Sequence, residues 1–494
     1  MRRPLGLAAG ALLLLAAGCA SLDAPFSGHL VSEAPQARAC AEWLRALDEG
    51  VDAAGVRDAQ ETRIPGFPYL RANRLLASLR PLAQSSEPAL QALADRMRAL
   101  DQEARRYEML NLPEGQIAGL RESLERTRLC GRLLREIDLA NPAVRQALLE
   151  RLRVPDDYST SDRFFGLYAF TRLAFAAGVR RHEAETREAF AREPAPPAGA
   201  VLIRLAPPLS SQSLTRARAA IILERAALNP LRIPEPAESE MSELFAAYAP
   251  SFEVEVAADY DRSGALRWSR EGGTPVVDGA QLAVYAQPAW TRYGDRVLLQ
   301  LVYTLWFPER PPQSAGDILA GKLDGIVWRV TLAPDGEPLV YDTMHPCGCY
   351  HQFFPTPRAQ ALPAPDGLEE WMFSPQALAR IADGERPLLR IASGTHFLEN
   401  VSVVRGSDSL ARYELRPYGE LRSMQRLGPG RASAFGPDGL VRGTERPERF
   451  TFWPMGIASA GAMRQWGRHA TAFVGRRHFD DADLFEKRFR FELN

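Results

Sequence analysis

Apolar residues along the first third of the chain recur every three to four positions. Trp43, Leu44, Leu47 and Val51 fall on one stripe, Leu90, Leu93, Met97 and Leu100 on another, and Leu120, Leu124, Leu133, Leu134 and Ile137 on a third. This is the spacing of amphipathic helices, and it predicts a helical region from Gln36 to about Phe190. Within it, Ile64-Pro65-Gly66-Phe67-Pro68-Tyr69-Leu70 reads as a rigid turn whose Phe67 and Tyr69 plug the helical core. Two proline-rich stretches, Arg192 to Pro197 and Asn229 to Pro236, stop helices and stiffen a connection.

Beyond the second stretch the period becomes two. Phe252, Val254 and Val256 alternate with Glu253 and Glu255, the mark of a half-buried strand. Further strands are expected at Arg296 to Phe307, Gly325 to Leu332, Leu339 to Met344, Pro387 to Ser393 and His396 to Val404. Between two of them Pro334-Asp335-Gly336 has the residues of a hairpin turn, proline presetting the first corner and glycine accepting a positive φ. The expectation is class α+β: an N-terminal helical domain over 36–190, a proline-rich connection over 191–240 and a mostly antiparallel β domain over 241–494.

The length of 494 residues supports more than one domain, and a hydrophobic fraction of 46% with 24% charged residues is that of a globular chain. With 60 basic against 61 acidic residues there is no net field to draw it onto nucleic acid.

The amino terminus has the form of an address. Arg2 and Arg3 precede an apolar stretch from Leu5 to Ala17, too short for the roughly 20 residues of a membrane-spanning helix, so residues 1–18 read as a signal peptide. The run Leu15-Ala16-Ala17-Gly18-Cys19 resembles the lipobox of bacterial lipoprotein precursors. That resemblance, which covers residues 1–19 only, implies cleavage before Cys19 and its acylation. It also implies attachment to the membrane through the lipid anchor. The small, polar, proline-bearing residues from 20 to about 35 read as a tether, so that 19–35 form the lipidated cysteine and tether. Ala20 is not the aspartate that commonly retains such proteins at the inner membrane, so the resemblance points to the outer membrane, periplasmic face.

Four further cysteines then stand in an oxidising compartment. Cys40 and Cys130 lie on expected helices, and a disulfide joining those helices is the simplest pairing. Cys347 and Cys349 belong to the run Tyr341-Asp342-Thr343-Met344-His345-Pro346-Cys347-Gly348-Cys349-Tyr350-His351. If the strand continues, His345, Cys347, Cys349 and His351 share one face, an inventory suited to zinc or copper. A straight strand would separate His345 from His351 by about 20 Å, so all four can serve one ion only through a bend at Pro346 or Gly348.

The other readings of the cysteine pair are a redox-active disulfide and two packed thiols. His396, His469 and His478 lie in the same half, with His478 followed by Asp480 and Asp481, and His396 and His478 join the candidate metal ligands. The spacing is neither Cys-x-x-Cys nor Cys-x-x-Cys-His, and no nucleotide-binding loop, serine nucleophile elbow or His-Glu-x-x-His helix is present. The functional expectation is a periplasmic lipoprotein with a Cys/His metal-binding or redox site in its β domain. The alternatives are a non-enzymatic cell-envelope scaffold with a protein partner and a purely structural Cys-Gly-Cys strand, and a hydrolase using one of the two cysteines.

Overall fold

The structure, a computed structural model, describes residues 24–117, 119–193, 195–196, 199–208, 214–270, 273–405 and 411–493. Cys19 and the signal peptide lie outside the described residues. The chain divides into two compact units, the first ending at Pro155 and the second beginning at Asp156. About 35% of it is helix and 25% strand, with small, mostly antiparallel sheets and helices mainly N-terminal, so the class is α+β.

The first unit is built on long helices at Pro35–Ala54, Glu87–Asn111 and Leu120–Ala140. Sequence fixes their ends: Ser86 caps Glu87–Asn111 by accepting from the Ala89 amide, and Pro35–Ala54 stops at Gly55, whose φ of +65° is left-handed. The expected turn is a small hairpin, Thr62–Ile64 paired with Phe67–Ala72, and it buries Phe67 and Tyr69 in the helical core. A disulfide joins Cys40 to Cys130 across two of the helices. The unit also buries charge: Arg71 binds Asp101 (3.1 Å) and Glu108 (2.8 Å), and Arg105 binds Asp101 (2.8 Å) and Asp48 (2.9 Å). Each guanidinium is matched by carboxylates, which is what burial of such groups requires.

The second unit starts earlier than the periodicity suggests. The helix Tyr168–Ala191, expected with the helical domain, belongs to it, and the strand Val201–Ala206 lies inside the expected connection. A six-stranded sheet runs in the order Gln352–Pro355, Pro338–Met344, Gly321–Leu332, Arg296–Arg310, Ala283–Tyr293, Glu414–Pro417, antiparallel except for its last pair. A five-stranded mixed sheet runs Leu398–Arg405, Glu385–Ile391, Ser251–Val256, Val201–Ala206, Ala411–Arg412. One apolar core holds residues of both, among them Phe252, Val254, Leu389 and Ile391 from the smaller sheet and Leu299, Leu301, Tyr303, Trp328 and Val330 from the larger.

The strand Arg296–Arg310 explains why its sequence is apolar at nearly every position. Leu299, Leu301, Tyr303, Leu305 and Phe307 enter the shared core, while Leu298, Val302 and Trp306 lie in three other apolar clusters with residues of the C-terminal segment such as Phe485, Phe479 and Leu421. Both faces are covered, so alternation disappears. The strand Ser251–Val256 departs from the half-buried expectation for a different reason. Glu253 and Glu255 are buried because Arg390 binds them, at 2.5 Å and 2.6 Å. The turn at Pro334-Asp335-Gly336 forms as expected, with Gly336 at φ +78°.

Candidate functional site

The strands Pro338–Met344 and Gln352–Pro355 are antiparallel neighbours with Thr343 opposite Gln352, so the chain reverses between them. The Cys-Gly-Cys run is this reversal and not a continuing strand. The His345 amide donates to the Cys349 carbonyl (3.0 Å) and the Gly348 amide to the His345 carbonyl (2.8 Å). Gly348 takes φ +91° and Tyr350 φ +60°, and a β-carbon at Gly348 would stand 2.4 Å from the Ala470 carbonyl oxygen. Only glycine satisfies both demands. The expected sharing of one face by His345, Cys347, Cys349 and His351 therefore fails, because the left-handed residues break the two-residue period.

What the turn does bring together is the pair of sulfurs. Cys347 and Cys349 are unbonded, and the Cys349 amide donates to Cys347 Sγ at 3.4 Å. Burial opposes ionisation of Cys347, yet the hydrogen bond from the Cys349 thiol and the nearby Arg446 guanidinium hold its pKa below the ordinary thiol value. The same hydrogen bond, followed by burial, pushes the Cys349 thiol well up. The turn thus makes Cys347 the more acidic of the two thiols.

Both cysteines line a cavity of about 560 Å³ in the second unit. The helix Tyr168–Ala191 contributes Phe175, His182 and Glu183, and other walls are Tyr350, Phe373, Phe397, Phe452 and Phe473. His182 packs against Tyr350 and Phe397, with ring centroids 5.0 Å and 5.4 Å away, and burial lowers its pKa. Arg310 reaches the cavity from the end of the central strand, donating to the Thr395 carbonyl at 3.1 Å with its guanidinium over the Phe397 ring.

Glu448 completes the polar lining. Burial pushes its carboxyl up to about 7, against the pull of Arg446 and Arg310. It packs so tightly on Gly461, at φ +83°, that a β-carbon there would overlap its carboxylate oxygen at 1.8 Å.

The expected histidines divide into three fates. His351 lines the cavity with the thiols. Its Nε2 is 2.9 Å from Asp342 Oδ2, and Asp342 is held by Arg329 Nε at 2.9 Å. Burial pulls its pKa down to about 3, and its Nδ1 has no hydrogen-bond partner among the described residues. His345 and His396 instead share Asp324: His345 Nδ1 is 2.9 Å from Oδ1 and His396 Nδ1 is 3.1 Å from Oδ2. His396 lies flat on Phe307 with its other nitrogen 3.4 Å from Asp261. Burial works against the charge on both rings, but the two carboxylates raise His396 while His345 stays below its usual value.

The remaining two stand elsewhere. His478 sits among Asp156, Asp157 and Asp481, and His469 is buried against the Pro346 carbonyl at 3.1 Å.

Among the described residues no group of three or more histidine, cysteine, aspartate or glutamate side chains is placed to hold one metal ion. The zinc or copper site expected from His345, Cys347, Cys349, His351, His396 and His478 is not assembled. His345, His396 and His478 are oriented by carboxylates, and among these six only Cys347, Cys349 and His351 line the cavity. His182, Arg310 and Glu448 were not among the candidates: each is isolated in sequence, and only the fold gathers them.

Chemically, two adjacent thiols of unequal acidity that share a cavity with a carboxyl raised to about 7 suit thiol–disulfide exchange. Set against protein-family models, curated proteins and solved structures, the chain matches none of them.

Proposed function

We propose that this protein is a lipoprotein, anchored through Cys19 at the periplasmic face of the outer membrane, whose second unit carries a dithiol–disulfide exchange site formed by Cys347 and Cys349. The observation that carries this reading is the turn at Gly348, which sets the two unbonded thiols side by side in a cavity and favours ionisation of one of them.

The reaction follows from that asymmetry. The Cys347 thiolate attacks one sulfur of a disulfide substrate, forming a mixed disulfide and releasing the first substrate thiolate. Glu448 takes the proton from Cys349, whose thiolate then attacks Cys347 Sγ and displaces the second substrate thiolate. One substrate S–S bond is replaced by one Cys347–Cys349 bond. Two electrons pass to the substrate, and the two protons lost from the thiols protonate its products. The reverse exchange with a second dithiol restores the enzyme. Arg310 and the Tyr350 and Phe397 rings position the substrate, and a cavity of this size takes a small disulfide or an exposed loop carrying one.

A Cys349→Ser variant tests the mechanism, because it cannot resolve the mixed disulfide. Incubated with oxidised glutathione, it is expected to accumulate one glutathione adduct at Cys347 that dithiothreitol removes. No adduct at Cys347 overturns the exchange reading and leaves the pair structural, as in an envelope scaffold. The anchor is tested separately: Cys19→Ser is expected to move the protein from the membrane to the soluble fraction, and retention after a carbonate wash overturns it.

A further inference from the structure

The exposed aromatic residues of this protein are not scattered. Among the described residues, every exposed phenylalanine and tryptophan, namely Phe164, Phe165, Phe170, Phe450 and Trp453, lies in two short stretches of the second unit and is 40% to 75% exposed. The stretches are neighbours in space. Gly166, which follows the helix Thr160–Phe165, stands so close to Pro454 that a β-carbon would be 2.6 Å from it, and Phe175 meets Phe452 at 5.2 Å between ring centroids. Leu167 and Leu173 extend the same exposed surface. A soluble chain rarely leaves so many large apolar groups together in water without an occupant for them.

Charge indicates which occupant. From Arg163 to His182 the chain has four arginines and no acidic residue, and from Arg449 to Phe479 it has five arginines and no acidic residue. Yet the chain as a whole is balanced at a net −1. Of these arginines, Arg180, Arg181 and Arg476 are exposed and Arg172 and Arg449 half-exposed, and Arg449 lies over Phe450. Arg476 is paired with Asp156 and Asp162 precedes Phe164, but with Arg172, Arg180, Arg181 and Arg449 the arginines of these stretches outnumber those two carboxylates. Aromatic rings with an excess of arginine match the headgroup region of an anionic bilayer.

We propose that this face docks on the surface of an anionic phospholipid membrane. The helix Tyr168–Ala191 presents Phe170 and Leu173 on the docking face and Phe175, Gly178 and His182 to the cavity, so docking sets the rim of the cavity against the headgroups. The inference rests on the lipoprotein reading only in that an acyl anchor keeps the face within reach of a bilayer.

The test therefore omits the anchor. The mature chain from Ala20 onward is sedimented with vesicles of phosphatidylglycerol and phosphatidylethanolamine, at low and high salt, beside a Phe165→Ser, Phe170→Ser, Phe450→Ser variant. All three side chains are exposed, so the fold is expected to survive, and circular dichroism checks it. The expected result is vesicle binding that weakens with salt and with falling phosphatidylglycerol, and that drops by about tenfold or more in the variant. No binding by the mature chain, or equal binding by the variant, overturns the proposal. So does self-association of the mature chain, without vesicles, that the variant abolishes, because the face is then an interface between copies. Vesicle binding by a Cys347→Ser, Cys349→Ser variant is expected to be unchanged, which separates failure here from failure of the exchange site.

Discussion

The Cys349 amide donates to Cys347 Sγ across the single residue Gly348, and the Cys349 thiol supplies a second hydrogen bond to the same sulfur. In the proposed exchange Cys347 is therefore the nucleophile and Cys349 the residue that stabilises its thiolate. Replacing Cys349 by alanine removes the thiol donor and is expected to raise the Cys347 pKa. The pH profile of Cys347 alkylation by iodoacetamide measures this, its midpoint moving to higher pH. An unmoved midpoint means that the thiols do not interact.

Gly348 is expected to tolerate no side chain. Alanine there must adopt φ near +91° and approach the Ala470 carbonyl at 2.4 Å, both of which involve backbone that cannot swing away. A loss of about 1–3 kcal/mol in unfolding free energy is expected for Gly348→Ala, with slower alkylation of Cys347, measured by urea denaturation and thiol labelling.

His351 contributes a pH dependence with a definite sign. Burial holds its folded-state pKa down at about 3, whereas the unfolded chain protonates it at about 6.5. Between those values the unfolded state binds the extra proton. The stability this group supports is present above about pH 6.5 and falls as the solution is acidified, by about 1.4 kcal/mol per pH unit. His351→Gln keeps a side-chain amide toward Asp342 and has nothing to protonate. Urea unfolding at pH 7 and pH 5 should therefore show a shallower acid loss in the variant, and parallel losses would remove His351 as the cause.

The disulfide between Cys40 and Cys130 closes a separation of 90 residues, which corresponds to about 4 kcal/mol on the chain-entropy estimate. A Cys40→Ala, Cys130→Ala variant is expected to unfold its first unit at lower denaturant while leaving Cys347 alkylation unchanged. Peptide mapping under non-reducing conditions should recover the two helices as one linked pair.

The sequence was legible where one physical rule governed a segment. The helical stripes around Leu44 and Leu93, the strand Pro338–Met344 and the Pro334-Asp335-Gly336 turn follow from periodicity and turn chemistry alone. It misled where a rule was extended past its reach. The alternation from His345 to His351 presumes a strand, and Gly348 and Tyr350, both left-handed, end that strand at Met344. Glu253 and Glu255 look solvent-facing until Arg390, more than 130 residues away, pairs with them. The helix Tyr168–Ala191 reads as one more member of the helical region, although what it positions is His182, over the turn of Cys347 and Cys349. Glu448 carries no local signal, because its raised pKa is a property of the packed site and not of Pro447 or Arg449 beside it.

The central claim, that Cys347 and Cys349 act as one two-electron couple, is tested most directly by redox titration. The protein is equilibrated in glutathione buffers of graded ratio, quenched with a maleimide, and the peptide carrying both cysteines is weighed. The two thiols are expected to disappear together in a single transition with the slope of a two-electron couple, about 30 mV per tenfold change. Cys40 and Cys130 should stay linked throughout. Labelling of Cys347 and Cys349 that is complete at every ratio, or that is lost at one cysteine independently of the other, would contradict the exchange site and leave the Cys-Gly-Cys turn a structural feature.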